Sequence, residues 1–341
     1  MAVLGVGVVG CGLIGRRRAV EASRHDATRC VAVADVDVSV ASKLAEDVGA
    51  RVGLDWHDIV AADDVDVVCV ATPNGLLAEI SIAALGAGKH VLLEKPMGRD
   101  VREARAIAAA AVAAGRQVKI GFNHRYHPAI ARAHQESASG TIGSVINARA
   151  RYGHGGRPGY EREWRGSLEL AGGGELTDQG VHVADLLHWF VGVPDSVFAA
   201  TQTAVWPLGE LEDNAFAILR YGGGRIAAFH TSWTQWKNLF SLEVFGDRGS
   251  LVVEGLGGSY GDETLTIAHR AMEGGVPRME RLVFDGPDLS WRDEWADFVA
   301  GIIDKRPYLG GPSDGIVAME TLAALYRSAK SGLPEAYDRI T

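Results

Sequence analysis

The segment that most constrains this chain is Gly10-Cys11-Gly12-Leu13-Ile14-Gly15, because of what lies on either side of it. Ahead of it, Val3-Leu4-Gly5-Val6-Gly7-Val8-Val9 is short, apolar and largely β-branched, the pattern of a buried parallel strand. Behind it, Arg16-Arg17-Arg18-Ala19-Val20-Glu21-Ala22 reads as a helix, with the arginine run expected on a solvated face. Strand, glycine turn and helix are the context in which G-x-G-x-x-G binds a dinucleotide. Gly10 permits the tight turn, Gly12 lets a pyrophosphate approach the backbone, and Gly15 lets helix and strand pack closely. Unpaired amides at the helix start, through Leu13 and Ile14, then bind the phosphates with help from the helix dipole. An ordinary glycine turn is the competing explanation in a chain with 43 glycines.

Further support comes from Arg29-Cys30-Val31-Ala32-Val33-Ala34, which reads as a second strand ending at Asp35. A carboxylate there accepts bonds from the adenosine ribose hydroxyls and repels a 2′-phosphate, favouring NAD over NADP. Asp37 competes for that role, and the Arg16 to Arg18 run offers a phosphate an alternative.

At 341 residues the chain has room for two domains, each with its own core. Hydrophobic residues make up 47%, which fits a globular rather than a disordered chain. A net charge of −9, with no long basic stripe against it, argues against nucleic acid as a partner. No apolar stretch reaches the roughly 18–20 residues of a membrane span, and Met1 leads directly into a strand. The three cysteines, Cys11, Cys30 and Cys69, lie in or beside expected strands of the first domain. An odd, buried set suits a reducing cytoplasm better than a disulfide framework.

Strand and helix then alternate. Helices are expected over 39–49, 79–88 and 101–115, and strands over 65–71, 90–93 and 118–122. This alternation predicts an α/β fold with a doubly wound parallel sheet. Ligands on such a sheet sit at the carboxyl ends of the strands. That brings Gly10 to Gly15, Thr72-Pro73-Asn74 and Glu94-Lys95-Pro96 to one crevice and makes all three cofactor-binding candidates. Past Asn123 the pattern changes to strands over 144–152, 197–205, 214–221, 225–233, 240–245 and 251–254. It predicts a second α/β domain with a large, mostly antiparallel open sheet. One helix is expected over about 174–190, and two more, 291–303 and 312–331, close the chain. The domains are drawn as 1–122 and 123–341, with packing of 291–331 back toward the first left open.

The order Gly10 to Gly15, Ala71-Thr72-Pro73-Asn74, Gly88-Lys89-His90-Val91, Glu94-Lys95-Pro96, then Gly172-Gly173-Gly174 through Asp178 and His182, resembles the Gfo/Idh/MocA oxidoreductases. These are the glucose–fructose oxidoreductase and inositol dehydrogenase relatives, and the resemblance spans essentially the whole chain. It implies a Rossmann domain, a second domain whose open sheet often mediates dimers or tetramers, and NAD-linked oxidation or reduction of a hydroxyl on a sugar or cyclitol ring. It also implies a catalytic set of Lys95, Asp178 and His182. One departure is Leu77, where many relatives carry histidine.

The chemistry of those residues agrees. Asp178 and His182 are four apart, so one helix would present both on one face. A histidine with an unperturbed pKa near 6.5 suits removal of a hydroxyl proton while hydride leaves. Asp178 then orients the imidazole or binds a substrate hydroxyl, and Lys95 stabilises developing charge on the reacting oxygen. Asp185 is a second acidic candidate nearby. Arg125, Tyr160, Trp164 and Arg165 are candidate substrate contacts, since aromatic faces stack on sugars and arginines bind hydroxyls or phosphates. Trp236-Lys237-Asn238 lies at a turn within reach of the same cleft. No metal site is expected, since His124 and His127 lack partners at ligand spacing.

The resulting expectation is an NAD-dependent dehydrogenase acting at a ring hydroxyl, carbon 3, of a sugar, glycoside or nucleotide sugar. The alternatives are a cyclitol dehydrogenase, an NAD-using glycoside hydrolase and a non-catalytic dinucleotide-binding regulator.

Overall fold

The computed structural model describes residues 3–337. They divide into two compact units: residues up to 122 together with 291–316, and residues 123–290 together with those from 317 onward. Residues 291–316, drawn above within the second domain, therefore belong to the first unit.

The first unit alternates β1 (Leu4–Val9), α1 (Leu13–Arg24), β2 (Thr28–Ala34), α2 (Val38–Val48), β3 (Arg51–Val52), α3 (Trp56–Ala61), β4 (Val67–Val70), α4 (Asn74–Gly86), β5 (His90–Leu93), α5 (Val101–Ala114) and β6 (Val118–Ile120). All its strand pairs are parallel, in the order β3-β2-β1-β4-β5-β6. The continuous apolar runs are explained by burial on both faces: Val6, Val8, Val67, Val68, Val91 and Leu92 are all fully inaccessible. One face packs against the α1 side chains Ala19 and Ala22 and against Trp295, Phe298 and Val299. These last three lie on α10 (Ser290–Asp304), and the Trp295 indole donates to Thr28 Oγ1 at 3.1 Å. Helix α4 starts five residues earlier than expected because Pro73 serves as its N-cap and carries Asn74-Gly75 into the first turn.

The three cysteines are free and buried, and burial pushes the Cys11 and Cys30 thiols up to about 12. Among the described residues no helix is long and apolar enough to cross a membrane.

One expectation fails in α1. Its buried residues are Gly15, Arg18, Ala19 and Ala22, the i, i+3, i+4, i+7 face of a helix. Arg18 is therefore inside. Its Nε donates to Glu94 Oε1 at 2.8 Å and its other arm reaches Glu294 Oε2 at 2.5 Å. The Trp291 ring lies 4.5 Å from the guanidinium carbon. Arg16 and Arg17 are exposed as expected, Arg16 pairing with Asp47 at 2.6 Å and Arg17 lying 5.2 Å from the Trp291 ring.

The second unit adds α6 (Pro128–Ala138), β7 (Val145–Gly153), α7 (Leu168–Ala171), α8 (Glu175–Asp178), α9 (Gly180–Val191), β8 (Ser196–Gln202), β9 (Asn214–Tyr221), β10 (Arg225–Ser232), β11 (Leu239–Gly246), β12 (Gly249–Glu254), β13 (Glu263–His269) and β14 (Arg278–Phe284). After α11 (Pro312–Ser331), in which the division between the units falls, β15 (Glu335–Ala336) ends the sheet. The order is β14-β13-β12-β11-β7-β10-β9-β8-β15, antiparallel except between β7 and β10. Alternation is clean: on β9, Ala215, Ala217, Leu219 and Tyr221 point inward while Phe216 and Ile218 are exposed. Strands β13 and β14 were not foreseen. The single helix expected over 174–190 is two, α8 and α9, separated at Gln179 (φ −106°).

Arg18→Ala removes the cation that pairs with two buried carboxylates, Glu94 and Glu294. Leaving a buried charge unpaired costs about 3–5 kcal/mol, so denaturant unfolding should show a loss of that size.

Candidate functional site

In the first unit the strand order reverses direction between β1 and β4, where open α/β sheets bind ligands. The glycine loop and Thr72-Pro73-Asn74 are the two strand ends that flank this point. Gly10 sits at φ +90°, and a Cβ there would lie 2.4 Å from the Ala71 carbonyl oxygen. A Cβ on Gly15 would come within 1.7 Å of the Gly10 oxygen. Gly12 is different. Its φ of −65° is open to any residue, and a Cβ would meet nothing within 4 Å. Neither backbone conformation nor packing demands a glycine here, whereas a pyrophosphate lying on the backbone does. Gly12 also N-caps α1 without a side-chain bond, and the first turn carries no acid, so the amides of Leu13, Ile14 and Gly15 present a positive end. Leu13 is largely exposed beside them. These residues fit a dinucleotide.

Asp35, half-buried at the end of β2, accepts from the Cys11 amide at 2.6 Å and from the Asp37 amide at 2.9 Å. Its carboxylate is thus tied to the glycine loop. Asp37 instead caps α2, accepting from the Ser39 and Val40 amides. That geometry favours Asp35 for the ribose. Pro73 and the buried Asn74 open α4, and the Thr72 Oγ1 is buried without a hydrogen-bond partner. Lys95 is half-buried beyond β5, followed by buried Pro96 and Met97. Glu94, the cofactor candidate beside Lys95, is the carboxylate bound to Arg18. Leu77 is fully buried, so its position is an apolar core site.

In the second unit, Asp178 ends α8 and accepts from Arg165 Nε at 3.0 Å. The Arg165 guanidinium lies 4.4 Å from the centre of the Trp164 ring. These three candidates therefore form one group. The break at Gln179 means that Asp178 and His182 do not share a regular helical face, contrary to the spacing argument. His182 is buried on α9, its ring stacked on His124 with centroids 3.8 Å apart and planes at 22°. Tyr152 and Phe240 meet His124 edge-on at 5.2 and 6.0 Å. His127, next to the stack, contacts Glu263 Oε2 through Nδ1 at 3.1 Å. The spacing of His124 gave no sign that it would lie against His182.

Two substrate candidates are engaged within the second unit. Arg125 is buried, and its fork binds both oxygens of Asp185 at 2.8 and 2.5 Å. Arg125 and Asp185 thus form a buried ion pair. Tyr160 is buried in a cluster with Leu208, Leu211 and Trp233, crossing the Trp233 ring edge-on at 5.1 Å. The neighbouring loop is held by Asp213, whose carboxylate accepts from the amides of Ala204, Val205 and Trp206 at 2.8, 2.8 and 3.0 Å. Burial works to raise the Asp213 pKa, but these donors outweigh it and hold it below the usual value. Among the described residues no three His, Cys, Asp or Glu side chains gather to hold a metal ion.

Gly12→Ala should leave thermal stability unchanged while weakening NADH binding. Gly15→Ala should lower the melting temperature itself, and paired melting and titration curves separate the two. Asp35→Ala should weaken NAD and narrow its advantage over NADP in a direct binding comparison. A depressed Asp213 pKa stabilises the fold above its unfolded value of about 3.9 and loses that effect as pH falls through the lower folded value. Asp213→Asn should therefore destabilise the protein by about 2–3 kcal/mol at neutral pH, with the difference from wild type shrinking as acid unfolding sets in.

Comparison with known proteins agrees with this geometry. Residues 4–122 match a model described as an oxidoreductase family with an NAD-binding Rossmann fold, and residues 130–252 match the GFO/IDH/MocA C-terminal domain. The 1,5-anhydro-D-fructose reductase of Ensifer adhaerens is 30% identical over 96% of this chain and 96% of its own length. The D-glucoside 3-dehydrogenase of Escherichia coli (strain K12) is 28% identical, again over 96% of each chain. The crystal structure of GenD2 from gentamicin A biosynthesis in complex with NAD superimposes with a TM-score of 0.86 at 29% identity, covering 98% of this chain and 97% of that one. With both domain models matched in order and a relative similar along nearly its whole length, the chain belongs to the Gfo/Idh/MocA oxidoreductase family.

Proposed function

We propose that this protein is an NAD-dependent dehydrogenase that oxidises, or in reverse reduces, the carbon 3 hydroxyl of a pyranose held as a free sugar, glycoside or nucleotide sugar. The observation that carries the reading is Gly12: an uncrowded glycine at an uncapped helix start, beside a carboxylate already tied to the same loop. The choice of substrate is supported by the names of two relatives, a D-glucoside 3-dehydrogenase and a 1,5-anhydro-D-fructose reductase.

Bound NAD would accept the hydride from the carbinol carbon. The chain's own residues handle the proton and the charge. His182 takes the hydroxyl proton, so that loss of hydride and proton together leaves a ketone. Its stack on His124 fixes the plane of the imidazole before substrate arrives. Lys95 donates to the reacting oxygen and stabilises the negative charge that develops there. The Arg165–Asp178 pair, with Trp164 behind it, presents both a donor and an acceptor to neighbouring hydroxyls.

We also propose a homo-oligomer working in a reducing cytoplasm. The support is the three unpaired, buried cysteines and the exposed Phe198, Phe216, Ile218 and Ile226 on adjacent strands β8, β9 and β10.

A panel of glycosides, free sugars, nucleotide sugars and inositols, each incubated with NAD, should yield NADH with at least one pyranose. No NADH from any of them would overturn the assignment. Lys95→Ala should lower kcat by about 10²- to 10⁴-fold with little change in NADH affinity. His182→Ala should flatten the basic dependence of kcat/KM on pH, and a near-normal profile would remove it as the base.

A further inference from the structure

Four aromatic rings, those of Tyr160, Trp206, Trp233 and Trp236, gather in the second unit on segments far apart in sequence. Tyr160 lies 5.1 Å from Trp233 and 6.4 Å from Trp206, and Trp206 lies 6.5 Å from Trp236 at an interplanar angle of 59°. Trp164 lies on the same segment as Tyr160, with the Arg165 guanidinium packed on its face. Ring contacts thus run from Tyr160 through Trp206 to Trp236, and the Arg165–Asp178 pair lies on the segment that follows Tyr160.

Trp236 is 67% exposed. An indole left in water forgoes the free energy of its burial, so an exposed one at a fixed position is informative. Its position is fixed: Gln235 N donates to the His154 carbonyl at 3.2 Å, and Asn238 Nδ2 donates to the Ser259 carbonyl at 2.9 Å. Glycines 155 and 156 lie under the two indoles. A Cβ on Gly155 would touch Trp236 at 3.6 Å, and one on Gly156 would lie 2.5 Å from Trp206 Nε1. Trp206 is held from the other side, its indole N–H donating to the Trp233 carbonyl at 2.9 Å and its backbone amide to Asp213.

We propose that Trp206 and Trp236 form a subsite for a second sugar ring, so that the substrate is a glycoside of at least two sugars. This rests on the dehydrogenase reading above. An exposed aromatic face packs against the C–H face of a pyranose, and the adjoining polar groups of Gln235, Lys237 and Asn238 suit its hydroxyls. The arginines of the neighbouring segment are already paired, Arg157 with Glu163 at 2.9 Å and Arg165 with Asp178, and the exposed Lys237 beside Trp236 supplies a donor for a sugar hydroxyl.

Calorimetric titration of the full-length protein with cellobiose, maltose and methyl β-D-glucoside, with and without NADH, tests the proposal. Wild type should bind at least one disaccharide about tenfold more tightly than the single-ring glucoside. Trp236→Ala should reduce that preference at least tenfold, and Trp236→Phe should restore most of it. A wild-type protein with no preference for two rings would overturn the proposal, as would a Trp236→Ala variant that keeps the preference. Loss of sedimenting mass as the sole effect of Trp236→Ala would assign the surface to another subunit and overturn it equally. Titration needs no turnover. Disaccharide binding through Trp236 without any NAD reduction would sink the dehydrogenase assignment and leave the subsite standing.

Discussion

The glycine loop runs so close to its neighbours that two of its residues have no room for a side chain. Gly10 lies against the Ala71 carbonyl and Gly15 against the Gly10 carbonyl. Those two approaches let β1 end, turn and enter α1 within three residues, at the point where the sheet changes winding direction. The helix therefore begins where ligands of such sheets sit, with uncapped amides and no acid in its first turn. A Cβ at either position would push the helix away, and with it the amides and the bond between Cys11 and Asp35.

Around this constraint the molecule is held by buried polar pairs between residues distant in sequence: the ion pairs of Arg18 with Glu94 and Glu294 and of Arg125 with Asp185, and the hydrogen bond between His127 and Glu263. Such pairs add little net stability relative to apolar packing, yet breaking one is costly because it strands a charge. They penalise any arrangement that brings the wrong elements together. In the second unit, the Arg125–Asp185 pair joins the segment carrying His124 to the helix carrying His182. The stacked imidazoles are thereby placed by a contact that neither of them makes.

How much of this could be read beforehand depended on whether the signal was local. The bounds of β5, β9 and α11 and the glycine loop were legible because apolar period, glycine position and flanking turns all agree within a few residues. Strand β14 was not, since Arg278-Met279-Glu280-Arg281 sits at an open edge and buries no face that would impose an apolar alternation. The break at Gln179 was hidden because residues on both sides are compatible with helix. Arg18 was misread as solvated although its spacing from Gly15, Ala19 and Ala22 already placed it on the inner face. Its partner Glu294 lies 276 residues away and leaves no local trace. Arg125 and Tyr160 have the right chemistry for a sugar, but residue type does not reveal that a carboxylate or an apolar cluster has already claimed the side chain. Lys95, Asp178, Trp164, Arg165 and His182 remain candidates on their chemistry, with Lys95 half-buried past β5, Asp178 bound to Arg165 and His182 stacked on His124.

The central claim is that a hydride leaves carbon 3 of a pyranose for the nicotinamide. A glucoside deuterated at carbon 3, incubated with the protein and NAD, tests it directly when the recovered dinucleotide is examined by mass spectrometry. The account predicts NADH carrying one deuterium and a ketone at the labelled carbon. Reduced dinucleotide without label, or label retained on the sugar after turnover, would contradict it.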